Sequence, residues 1–124
     1  MASNPDTAHS QTLSQTLKQT HSRLILSASG WRGVFAENGD EESAATGITD
    51  AHRIIAAAAA KVFSDFLARA AAGRQEKGAI IIGRDTRPTG EAITDALIRA
   101  LLAEGWELRY TGIAAAPEIM AFAR

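Results

Sequence analysis

The run Ala79-Ile80-Ile81-Ile82, bracketed by Gly78 and Gly83, constrains this chain more than any other stretch. Four consecutive apolar residues, three of them β-branched, leave no polar face for water, so such a strand needs cover on both sides. It has the length of a strand and is too short for a helix. The flanking sequence supplies helices to cover it. Upstream, Thr49 or Asp50 as N-cap opens a helix that runs to Ala72, with Gly73 as its stop. Ile55, Val62, Phe63, Phe66, Leu67 and Ala70 recur at helical spacing and predict its buried stripe, while the five alanines at 56–60 permit close packing on a sheet. Downstream, a second helix is predicted over residues 88–104, with Pro88 in its first turn, Ile93, Leu97, Leu101 and Leu102 facing inward and Gly105 at its end. Trp106-Glu107-Leu108-Arg109-Tyr110 reads as the next strand, with Trp106 in the core, and a last helix starts at Pro117. Strand, helix, strand, helix implies right-handed crossovers and an α/β fold whose strands at residues 80–82 and 106–110 lie side by side in parallel.

The chain before this alternation is different in kind. Residues 1–21 are rich in Ser, Thr, Gln and Asn, with Leu13 and Leu17 as the apolar anchors, and predict a flexible polar tail with at most one helical turn. The remaining residues, 22–124, form one domain by this reading. Leu24-Ile25-Leu26 predicts a strand, Ser29-Gly30 a bend, Val34-Phe35 a second short strand and Asn38-Gly39 a tight turn. Glu37, Asp40, Glu41 and Glu42 follow without the spacing of a calcium loop, so they read as a solvated acidic segment.

Several function classes are disfavoured by composition. A net charge of -1 over 124 residues gives no pull toward nucleic acid or anionic lipid. The absence of cysteine removes disulfide and thiolate chemistry. Residues 1–20 lack the basic start and apolar centre of a secretion signal, and no segment has the roughly 18 apolar residues of a membrane span, so a cytoplasmic protein is expected. His9, His21 and His52 have no acid or nucleophile at a suggestive spacing and read as solvent-facing. No pattern in the sequence sets an oligomeric state.

Two stretches carry candidate chemistry. In Ser29-Gly30-Trp31-Arg32-Gly33 two glycines let the backbone bend and approach a ligand, while the guanidinium of Arg32 offers a fork of donors matched to phosphate oxygens. Taken alone, the string reads equally well as a bend bearing a surface arginine. Gly83-Arg84-Asp85-Thr86-Arg87-Pro88-Thr89-Gly90 lies where an apolar strand meets a helix N-terminus, the usual place for a ligand loop in an open α/β sheet. It lacks the Gly-x-x-x-x-Gly-Lys spacing of a nucleotide-binding phosphate loop. Asp85 between two arginines reads as the partner that fixes the loop rather than as a general acid or base.

In this order, with a long helix between them and Ala103-Glu104-Gly105 closing the next, the two stretches resemble the first domain of the α-D-phosphohexomutases, the phosphoglucomutases and phosphomannomutases. The resemblance covers residues 22–124. It implies a three-layer α/β/α domain with a mixed, mostly parallel sheet, stopping short of the phosphoserine loop. The implied parent is a four-domain enzyme that moves a phosphoryl group between the 1- and 6-positions of a hexose phosphate. It also implies magnesium, with ligands outside this chain, and a hexose phosphate as the molecule bound. Arg32 falls on the family arginine near the transferring phosphoryl group, Ser29 and Gly30 on the turn before it, and Arg84, Asp85 and Arg87 on the loop that supports the catalytic loop. Arg32, Arg84 and Arg87 are accordingly expected to converge against the single Asp85 as an electropositive notch at the carboxyl ends of the strands. Ala28 stands where the family usually has Thr, Trp31 where it has an aliphatic residue, and the acidic segment lengthens the interval between the motifs. Neither a Ser-His-Asn loop nor an Asp-x-Asp-x-Asp loop occurs in the 124 residues, so the chain by itself is expected to be inactive. The alternative is a non-catalytic α/β module that binds or assembles on the same scaffold.

Overall fold

A computed structural model describes residues 5–27, 30–73 and 78–123. The elements in order are α1 (Pro5–Ser22), β1 (Ile25–Ser27), β2 (Gly30–Arg32), α2 (Asp50–Ala70), β3 (Ala79–Arg84), α3 (Gly90–Ala103), β4 (Glu107–Ile113) and α4 (Ala116–Phe122). β1 and β2 form an antiparallel pair, β3 and β4 a parallel one, and the two pairs are separate sheets. The fold is α/β, as expected.

β3 and β4 run in parallel with Ile80 opposite Leu108 and Ile82 opposite Tyr110. Helices α2 and α3 lie against each other and close the core, where Ala60, Ile80, Leu101 and Trp106 are buried and Leu67, Ile82, Leu97, Ala100 and Leu108 pack around them. The other face of β3 meets α4: a Cβ on Gly83 would collide with the side chains of Ile119 and Thr111. The strand therefore passes through Gly83 and ends at Arg84, one residue beyond the predicted glycine stop. Ile81 and Ile82 remain half-buried rather than fully covered.

Helix α2 starts as predicted. Thr49 is the N-cap, its hydroxyl accepting the N–H of His52 at 3.2 Å. Its buried face differs from the prediction. Ala51, Ile55, Ala56, Ala60 and Ser64 are buried, whereas Val62, Phe63 and Phe66 are 61%, 46% and 64% exposed. The cause is packing distance: the small residues let α2 approach α3, and this rotates the bulkier side chains outward. Ser64 has a specific reason to face inward, because its hydroxyl oxygen accepts the indole N–H of buried Trp106 at 2.7 Å. On α3, Leu101 is buried and Ile93 and Leu97 half-buried, but Leu102 is 56% exposed, correcting its inward assignment. The helix begins at Gly90, after Pro88 rather than around it, and Gly105 with φ 83° follows its end.

Two features of the N-terminal part also depart from expectation. Where a tail with one turn at most was predicted, α1 runs for 18 residues. Pro5 opens it, a position where the missing N–H costs nothing. The hydroxyls of Thr16 and Thr20 donate to the carbonyls of Thr12 and Thr16 at 2.9 and 2.8 Å, so both hydroxyls find their acceptors within the helix. α1 lies against α2, with Leu13, Leu17 and Thr20 half-buried. The second strand is also displaced: it is Gly30–Arg32, not Val34-Phe35, and Ala36 instead bridges to Ile48. Gly30 opens the return strand at φ 136°, a value that disfavours other residues.

Candidate functional site

The loop after β3 is braced from within. Arg84, the last residue of the strand, donates from Nε to the Tyr110 hydroxyl on β4 at 2.9 Å. Its carbonyl accepts the N–H of Ala114 at 2.9 Å, which ties the loop to the chain leaving β4. The Asp85 carboxylate accepts the Arg87 N–H at 3.0 Å through Oδ1 and pairs with Arg87 Nε at 3.2 Å through Oδ2. Both side chains of that pair are more than half exposed, at 83% and 55%, so solvent screens it and its contribution is about 1 kcal/mol at most. Its effect is orientation: the carboxylate closes a tight turn two residues long and lines Arg87 up along it. Gly90 N–H then donates to the Arg87 carbonyl at 3.0 Å, where the chain enters α3.

A bulge adjoins this loop. Between Ile82 opposite Tyr110 and Arg84 opposite Ile113 the β4 strand carries one extra residue, with Gly112 at φ 73°. Such an insertion re-aims neighbouring side chains and is common beside functional sites. Here it accompanies the hydrogen bond between Tyr110 and Arg84. Composition and spacing did not mark Tyr110, because its partnership with Arg84 depends on a register set 26 residues away.

Arg32 occupies a different setting. It ends β2 opposite Ile25, and all six residues of the hairpin strands are exposed. Among the described residues no hydrogen bond or ion pair joins Arg32 to residues 84–87, and neither hairpin strand is paired with β3 or β4. Of the three arginines expected to share a notch, Arg84 is bonded to Tyr110 and Arg87 to Asp85, while Arg32 stands at the end of the hairpin. Ser29 lies outside the described residues. Gly30 accepts, through its carbonyl, the Ser27 hydroxyl at 3.0 Å.

Beside the braced loop lies an open cavity of about 740 Å³ between the start of α2, the first turns of α3 and the ends of β3 and β4. Arg53, Arg84, Glu91, Asp95 and Tyr110 contribute polar groups to its wall. Among the described residues no three His, Asp or Glu side chains gather closely enough to hold a metal ion. The acidic segment instead bonds itself: Asp40 Oδ1 accepts the Glu42 N–H at 3.0 Å and Asn38 donates to the Ser43 hydroxyl at 2.8 Å. His52 is half-buried, its ring tilted by 43° against that of Phe35 with centroids 4.7 Å apart, and bonded through Nδ1 to the Thr49 hydroxyl at 2.8 Å; burial lowers its pKa below the ordinary imidazole value. It was read as solvent-facing, and the aromatic partner 17 residues upstream explains the difference. No helix among the described residues is long and apolar enough to cross a membrane.

Comparison with known proteins places both motifs in one family. The model for phosphoglucomutase/phosphomannomutase, alpha/beta/alpha domain I, matches residues 23–124. A curated phosphoglucomutase/phosphomannomutase from Thermococcus kodakarensis is 44% identical over 45 residues, a stretch covering 36% of this chain and 10% of that relative. No solved structure matches. The family match takes in the hairpin with Arg32, the braced loop and both parallel strands, and the chain therefore belongs to the phosphoglucomutase/phosphomannomutase family, in its α/β/α domain I.

Proposed function

We propose that this chain is the opening domain of a hexose-phosphate mutase, and that it supplies part of the wall against which a phosphoryl group moves between the 1- and 6-oxygens of the sugar. The observation that carries this reading is the domain I match, which includes Arg32 at the end of β2 and residues 83–87 at the carboxyl end of β3 in one continuous span. An exposed guanidinium such as Arg32 can donate two parallel charge-assisted hydrogen bonds to phosphoryl oxygens, and it does so most strongly where charge accumulates during transfer. Asp85 has a different task, holding Arg87 and the turn in place so that the loop keeps its shape beside the reacting group. The phosphorylated serine and the magnesium ion of this reading belong to parts of the enzyme outside these residues, so the 124-residue chain alone is expected to give no turnover. A cytoplasmic enzyme acting on a hexose phosphate is the setting that the reading calls for.

The test is Arg32→Lys in an enzyme that carries this domain. A planar fork is not replaced by a point charge, so turnover falls about tenfold or more, corresponding to roughly 1.4 kcal/mol of transition-state stabilisation. Unchanged turnover would remove Arg32 from the reaction. Turnover of glucose 1-phosphate or mannose 1-phosphate by the 124-residue chain alone, above a buffer blank, would overturn the assignment of the nucleophile to another part of the enzyme.

A further inference from the structure

The two arginines of the loop after β3 are held in opposite ways. Arg87 is paired with the Asp85 carboxylate at 3.2 Å and its side chain is 83% exposed, so its charge is offset within the loop itself. Arg84 is half-buried, and among the described residues no ion pair reaches it. Its partner is neutral, since Nε donates to the Tyr110 hydroxyl at 2.9 Å. A phenol fixes the direction of a guanidinium and leaves its charge in place, whereas a carboxylate in the same position would cancel that charge.

Strand register brings the two side chains together. Ile82 lies opposite Tyr110, and Arg84 is two residues further along the same face of β3. Tyr110 and Arg84 are therefore diagonal neighbours across the strand pair, a separation that long side chains bridge. Just beyond, the bulge sets Arg84 opposite Ile113, and the Arg84 carbonyl accepts the Ala114 N–H at 2.9 Å. The stem of the side chain is confined by α3: a Cβ built on Gly90 would stand 3.7 Å from Arg84 Cδ and 3.8 Å from its Cβ. Backbone, stem and head group are thus each fixed by a separate contact, and the head group depends on Tyr110. The contact of Nη1 with the Asp85 carbonyl, at 3.5 Å, is too long to replace it.

We propose that Tyr110 is a positioning residue of the mutase site: by holding Nε of Arg84 it keeps an uncompensated guanidinium, and with it the loop at residues 84–87, in one orientation beside the reacting group. The proposal rests on the mutase reading and extends it to a residue of β4 that acts through Arg84. Tyr110→Phe keeps the ring and removes the acceptor, and two measurements on it test the role. In an enzyme that carries this domain, kcat falls about three- to tenfold, the effect of one hydrogen bond, while KM stays within about twofold. In the 124-residue chain, the Arg84 Nε–H resonance in a nitrogen-15 NMR spectrum moves and exchanges faster with water. Arg84→Lys, which has no Nε, lowers kcat at least as far as Tyr110→Phe. A resonance that does not move overturns the proposal, as does an unchanged kcat in Tyr110→Phe. A rise in KM as large as the fall in kcat, or a smaller loss in Arg84→Lys than in Tyr110→Phe, overturns it as well. An unsubstituted enzyme with no hexose-phosphate mutase turnover overturns the mutase reading instead, and the resonance, read without turnover, keeps the two failures apart.

Discussion

The hairpin of β1 and β2 and the unit formed by β3, α3 and β4 each carry an arginine motif next to glycine at the end of a strand, yet they are held by different physics. In the hairpin every strand residue is exposed, and Trp31 remains 44% accessible. Its shape rests on three residue pairs and on Gly30. In the second unit the motif grows out of a strand whose Ile80 is buried beside Trp106, and its side chains are tied to the neighbouring strand and to each other. A two-stranded ribbon alone is marginal in water, whereas a strand pair covered by helices is not. The second motif therefore has its geometry built into this domain, while that of the first depends on whatever packs against the hairpin.

Substituting the two tryptophans should divide the regions most sharply. Trp106→Ala leaves a large cavity and an unpartnered Ser64 hydroxyl, and should lower unfolding stability by about 3–5 kcal/mol in a urea titration. Trp31→Ala should cost roughly 0.5 kcal/mol or less, as expected for a partly exposed side chain on a surface ribbon. Equal losses would mean that the hairpin is as firmly packed as the core.

The glycines give a finer version of the same contrast. Alanine at Gly83 would bring a methyl group within 2.6 Å of Thr111 Oγ1 and against Ile119, so both side chains must shift at the contact between α4 and the sheet. About 1–3 kcal/mol should be lost, with chemical-shift changes concentrated in residues 116–122. Alanine at Gly33 meets one side chain, that of Leu24, where alanine at Gly83 meets two, and should cost less. A larger loss at Gly33 would reverse the comparison.

Smaller effects are expected at the start of α2. Thr49→Ala removes the N-cap acceptor for His52 N–H and should destabilise by about 1 kcal/mol. The imidazole beside it supplies a pH dependence. Because burial lowers the folded-state pKa of His52, the unfolded chain takes up the proton first as pH falls. Stability is thus fully present above the ordinary value of 6.5, declines as pH drops through it, and levels off once the folded state is protonated as well. His52→Gln should flatten that decline in denaturation midpoints measured across the range, with little effect in the region of β3 and β4. An unchanged slope would assign the pH dependence to other groups.

The sequence by itself was enough for the α/β class, the parallel pairing around Ile80, the Thr49 cap, the core position of Trp106 and the family resemblance. Each rests on local chemistry: a β-branched run, a capping hydroxyl, an aromatic residue among apolar neighbours, and motifs a few residues long. Tertiary structure decided which face of α2 is buried. Periodicity shows that an apolar stripe exists, but Val62, Phe63 and Phe66 compete with Ala56, Ala60 and Ser64 for the inside, and the closer approach allowed by small residues settles it only when α3 and the sheet are in place. It decided as well that α1 extends to 18 residues, because a polar sequence gains helix from the helix it lies against. The pairing of Arg84 with Tyr110 and the membership of Arg32 in a different sheet belong to the same class. Strand register and sheet membership are relations between distant parts of the chain, fixed by which surfaces pack together rather than by either residue's neighbours in sequence.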